Sequence, residues 1–69
     1  MKTNHSFGDN LKNLRQSRKI TQKDLANILN TTIKTVSHWE TNYSEPSIEQ
    51  LIILADFFEI TLDDLVDRK

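Results

Sequence analysis

Residues 21–42, TQKDLANILNTTIKTVSHWETN, decide the fold. Thr21 and Asp24 stand three apart, the spacing at which a hydroxyl and a carboxylate satisfy each other's free amides at a helix start. Leu25, Ile28 and Leu29 then repeat at helical spacing, so a helix runs on from Gln22. Counted from Gln22, Ala26 lies four residues on, Asn30 eight, Val36 fourteen and Trp39 seventeen. A small Ala26 lets a second helix cross close by, and Asn30 tolerates the left-handed backbone of a tight turn. The second helix begins after Thr31 or Thr32, carries Ile33, Val36 and Trp39, and locks onto the first through Leu25 and Leu29. Its start is unusual because Thr35, not an acid, holds the third position. Either the amide end is left open to a phosphate, or Thr32 is an ordinary cap without a partner.

Working outward, Ser6 with Asp9, Ser47 with Gln50 and Thr61 with Asp64 mark three more helix starts. Phe7, Leu11 and Leu14 follow the first; Ile48, Leu51, Leu54, Ala55 and Phe58 follow the second as an inward stripe; Leu62 and Leu65 follow the third. The connections at Lys19-Ile20, Asn30-Thr31, Thr41 to Pro46 and Ile60 are short, with no linker and no internal repeat. Gly8 and Pro46 are the only residues of their kinds, which leaves little turn chemistry for hairpins. The expected fold is all-α: a compact five-helix single domain over residues 1–69, with residues 1–5 as a flexible arm. With 36% apolar residues in 69 and no cysteine, the small core has no disulfide to supplement it. Stability must come from well-packed helices or from self-association.

Charge separates the two halves. Residues 1–39 carry seven Lys or Arg against two acids, +5, and residues 40–69 carry two against eight, −6, within an overall −1. One face turned toward a polyanion is one explanation, and scatter over a solvated surface is the other. Residues 1–10 lack the apolar stretch of a signal peptide and no run approaches the roughly 18 residues that span a bilayer, so a cytoplasmic location without membrane contact is expected. Two histidines do not make a tetrahedral zinc site without carboxylate help, and no metal, cofactor or small-molecule ligand is expected. An enzyme is the poorest class. There is no Ser/His/Asp or Cys/His set, no glycine loop, and no carboxylate pair outside the caps and tail.

From Leu11 to Val66 the chain resembles the helix-turn-helix DNA-binding proteins of the phage lambda Cro and repressor type, the XRE family. The strings LKNLRQSRKITQKDLANIL, TVSHWE and SEPSIEQLIILADFFEITLDDLV carry the resemblance, including Trp39-Glu40 and Glu45-Pro46. Asn30, Asn42 and Lys19 stand where the family commonly has glycine. Asparagine is the best substitute at a left-handed position, and lysine there costs about 1 kcal/mol.

The resemblance implies that about Thr32 to Thr41 is a recognition helix. With Val36, Trp39 and Glu40 inward, 100° steps turn Lys34, Ser37, His38 and Thr41 outward, with Ile33 at the tip. Lys34 would bond a guanine edge, Ser37 and His38 a base or phosphate, and Ile33 a thymine methyl. The alternatives are plain solvent exposure for Ser37 and His38 and a core contact for Ile33. Gln22 matches a family phosphate contact, with Thr21, Lys23, Thr35, Asn42 and Tyr43 as further candidates. Trp39 points inward as core rather than out as a stacking platform. Arg15 matches an arginine that pairs with the equivalent of Glu40, with surface phosphate binding as its other reading.

The function expected is a sequence-specific regulator of transcription, a repressor binding a pseudo-palindromic site in double-stranded DNA as a homodimer. Ile53 and Phe57, an apolar pair off the inward stripe, and Val66 are the expected dimer surface. The competing class is a protein-interaction module of the same fold, antitoxin-like or anti-repressor, which the near-neutral charge favours.

Overall fold

The computed structural model describes residues 6–66, so the arm expected over residues 1–5 lies outside the described residues. Five helices follow in order: α1 Phe7–Ser17, α2 Gln22–Ile28, α3 Ile33–Glu40, α4 Ile48–Phe58 and α5 Leu62–Val66. Every start has the cap expected of it. Ser6, Thr21, Thr32, Ser47 and Thr61 each accept from the amide three residues on, and at Thr21 and Ser47 the reciprocal bond from Asp24 or Gln50 is also made.

The first four helices end alike. Lys19, Asn30, Asn42 and Glu59 all have φ between 55° and 64°, and the amide after each bonds back five residues: Ile20 to Arg15, Thr31 to Ala26, Tyr43 to His38 and Ile60 to Ala55. This is the left-handed helix stop that glycine usually supplies, made four times without glycine. Ile20 and Ile60, just past two of the stops, fold back onto the core and help hold them.

α1 packs against α3 and α5, α2 against α3, and α4 against α5. Leu11, Leu25, Ala26, Leu29, Val36, Trp39, Leu54, Ala55, Phe58 and Leu65 form one buried cluster. Two assignments change. Ile48, expected on the inward stripe of α4, is 69% exposed at the first position of the helix and is not among the residues packed against the core cluster. Phe57, expected as an exposed apolar residue, is half-buried against the cluster, edge-on to Phe58, with the Arg18 guanidinium 6.0 Å from its ring centre. Ile28 and Leu62 follow the helical period yet stay partly in water.

Candidate nucleic-acid interface

α3 is held by one side and open on the other. Val36, Trp39 and Glu40 are buried, and Glu40, 6% exposed, is the only buried charged residue among those described. Its Oε2 accepts from Arg15 Nε at 2.6 Å, and its Oε1 accepts from Arg15 Nη2 at 3.3 Å and from Gln22 Nε2 at 3.0 Å. Arg15 Nη1 donates to the Ile20 carbonyl at 2.9 Å. One carboxylate therefore ties α1, α2 and α3 together, and its donors satisfy it where burial would otherwise be costly. Gln22 is half-exposed at the first position of α2, with a second side-chain proton beyond the one given to Glu40.

On the open side, Lys34 is exposed, Ser37 and His38 are half-exposed, and Thr41 is exposed at the end. Ile33 is 47% exposed at the tip and so lies outside the core. Trp39 is buried and offers no ring to a base. The His38 and Tyr43 rings meet at 4.5 Å between centres, placing Tyr43, 78% exposed, at the rim of this face. No acid lies in the first turn of α3, where Thr32 Oγ1 accepts from the Thr35 amide and the two hydroxyls share a bond at 3.0 Å. Across the turn, α2 carries its own carboxylate. The Thr21 backbone amide, then its hydroxyl, hold the Asp24 carboxyl below its usual range, with the Lys23 charge adding to this. Thr21 and Lys23 are exposed beside Gln22, on the side of the turn where α2 begins.

Several long-range contacts of positioning residues left no pattern in the sequence, although Ser6 was read as a helix cap. Ser6, Gly8 and Asn10 join the start of α1 to the ends of α3 and α5, through Asn42 at one end and the Asp64 and Leu65 carbonyls at the other. Apart from the Ser6–Asp9 cap, a lone glycine at a helix start was the available signal. Arg18 donates to the Phe58 carbonyl at 2.9 Å, so this member of the basic half is spent on the fold. Asn42, expected among the phosphate contacts, is exposed and also bonded internally: its Oδ1 accepts from the Gly8 amide and its Nδ2 donates one proton to Ser6 Oγ.

A polar, acid-free helix face braced by a second helix across a tight turn defines the helix-turn-helix class. The helix-turn-helix family profile matches residues 11–65, and the chain belongs to that family, in its XRE, lambda-repressor type. A transcriptional regulator from Listeria innocua superposes with a TM-score of 0.91 at 31% identity, covering 97% of this chain and 63% of that one. The P22 c2 repressor, solved in complex with a synthetic operator, superposes with a TM-score of 0.85 at 25% identity, covering 91% of this chain and 96% of the repressor. The transcriptional activator BcrR of Enterococcus faecalis is 33% identical over 60 residues, 87% of this chain and 29% of BcrR. The chain spans from under a third to about half the length of the curated relatives it matches. No helix among the described residues is long and apolar enough to cross a membrane.

Proposed function

We propose that this chain is a sequence-specific DNA-binding unit of a cytoplasmic transcription regulator, with α3 in the major groove of a pseudo-palindromic operator bound by a homodimer. The observation that carries the reading is the open face of α3: Lys34, Ser37 and His38 outward, no acid, and a rigid buried anchor behind it. Lys34 reads a guanine O6/N7 edge, Ser37 and His38 bond bases or phosphate, and Ile33 packs on a thymine methyl. Thr21, Gln22, Lys23, Thr35 and Tyr43 fix register on the phosphates. The likeness to the P22 c2 repressor, solved in complex with a synthetic operator, supports DNA binding by this fold. We assign repression because occupying a site suffices to exclude a competitor, whereas activation needs a further productive contact.

The dimer joins through the outer side of α4 and the end of α5, where Ile53 is 40% exposed, with Ile52 beside it and the edges of Phe57 and Val66 adjoining. A two-fold axis there sets the two copies of α3 about 34 Å apart. The second reading, a protein-interaction module, draws on the same apolar side and its acidic surroundings. Selection of bound sites from random duplex DNA tests both. A two-fold symmetric consensus with a steep salt dependence supports DNA reading, and no enrichment with a shallow salt dependence overturns it.

A further inference from the structure

The junction between the start of α1 and the end of α3 is closer than packing of two helices requires. A Cβ placed on Gly8 would lie 2.5 Å from the Glu40 carbonyl oxygen, 2.7 Å from that of Trp39 and 2.8 Å from Asn42 Nδ2. These are the last two residues of α3 and the left-handed residue behind it. Glycine is required at position 8 by that approach, not by its own backbone angle.

Asn42 closes the junction. Its Oδ1 accepts from the Gly8 amide at 3.0 Å, and its Nδ2 donates to Ser6 Oγ at 2.9 Å. The first turn of a helix has amides without intrahelical acceptors, and here two of them are satisfied from different sources. Ser6 takes the Asp9 amide locally, and Asn42, 34 residues away, takes the Gly8 amide across space. On the opposite side of the same turn, Asn10 Nδ2 donates to the Asp64 and Leu65 carbonyls at 2.8 and 2.6 Å. The start of α1 is therefore fastened at once to the end of α3 and to α5.

We infer that Asn42 is a positioning residue for the reading face, setting the tilt and depth of the C-terminal end of α3 by capping α1 across space. This rests on the proposed reading of DNA by α3. Arg15 and Gln22 hold the carboxylate of Glu40 from one side, whereas Asn42 fixes the backbone beyond it, next to His38 and Thr41. It also explains why asparagine stands at a left-handed position. Its backbone tolerates φ 64°, and its short amide reaches the Gly8 amide, which glycine at this position has no side chain to do.

The test is Asn42→Gly, which keeps the helix stop and removes the cap. Two readouts are followed: exchange of the Gly8 amide by NMR, and affinity for the duplex that the unaltered protein selects against a scrambled duplex of equal length. The expected result is faster Gly8 exchange with core amides of α2 unchanged, and a roughly tenfold loss of discrimination between the two duplexes at an unchanged salt slope, about the worth of one base pair. Faster exchange with unchanged discrimination makes Asn42 a structural cap only and overturns the inference. Equal weakening on both duplexes with a reduced salt slope makes it a phosphate contact and overturns it too. Unchanged Gly8 exchange shows that the cap is not made in solution. If the unaltered protein selects no duplex, DNA reading itself fails and this assignment with it, while Gly8 exchange still reports the cap.

Discussion

The outward faces of α3 and α4 differ in chemistry. On α3 the open residues are Lys34, Ser37, His38 and Thr41, with Ile33 alone at the tip. On α4 the face turned from the core carries Ile48, Ile52 and Ile53, 69, 45 and 40% exposed, with Glu49 and Asp56 among them. Neither face is needed to fill the core, which Leu54, Ala55 and Phe58 complete from the other side of α4. What differs is the medium each is fitted to. Hydrogen-bonding and cationic groups keep their value against a wet, charged surface, whereas isoleucine gains only where water is removed, at about 25 cal/mol per Å². Charge differs in the same sense, with Glu49 and Asp56 on α4 and Lys34 on α3.

The α3 face depends on the Glu40 hub, and removing it should do the most damage. Arg15→Ala strands a carboxylate that is 6% exposed and leaves Gln22 as its only side-chain donor. A loss of about 3 kcal/mol in urea denaturation is expected, with binding lost only as folding is lost. A variant that melts like the unaltered protein and yet fails to bind would move Arg15 to the DNA surface and make the basic face larger than described.

The α4 side of the comparison breaks next. If it meets a second copy, Ile52→Lys with Ile53→Lys should weaken self-association by about 100-fold or more while leaving the melt of the monomer nearly unchanged. Sedimentation equilibrium decides. A double variant as dimeric as the parent removes this face from the interface. Lys34→Ala addresses the other side and should cost about 1 to 3 kcal/mol in affinity while relaxing preference at one base pair. Binding to random sites from which one preferred position disappears is the expected signature, and an unchanged consensus would show that α3 is read from a different edge.

The sequence disclosed these two faces unequally for a physical reason. Four of the five helices were legible because their starts carry their own short-range chemistry, a hydroxyl and an acid or amide three residues on, and α3 was legible from the spacing of Ile33, Val36 and Trp39. The α3 face was legible because the buried positions Val36 and Trp39 set the phase for the rest. On α4 the same arithmetic misplaced Ile48, which does not join the buried cluster, and Phe57, which packs against that cluster beside Phe58 and under Arg18, contacts that spacing along one helix does not reveal. The left-handed Glu59 went unread because its signal lies after it, in Ile60 folding back and Thr61 starting the next helix. The Ser6, Gly8 and Asn42 junction was beyond reach, because its partners are set by where the helices cross and not by spacing along the chain.

The finest test lies in the two helix starts that flank the turn. α2 begins with a carboxylate, Asp24, and α3 begins with a hydroxyl, Thr35, in the same position. Because the Thr21 amide and hydroxyl hold the folded Asp24 pKa below its unfolded value, the stability it contributes is present above the unfolded value, about 4, and is lost as pH falls through the folded one. Asp24→Asn should therefore melt slightly lower at neutral pH, and the two melting curves should converge in acid. Parallel curves across that range would mean that the carboxylate charge plays no part. If a carboxylate helps a helix start, its absence from α3 needs a reason, and a phosphate at that site is one. Thr35→Asp should stabilise the fold by roughly 0.3 to 1 kcal/mol, as an acid near a helix start does. The same charge would face the phosphates and weaken DNA binding, most at low salt where repulsion is least screened. Higher melting together with weaker binding separates the needs of the fold from those of the reading face. Higher melting with unchanged affinity would place the start of α3 away from the backbone and confine recognition to Lys34 and the residues beyond it.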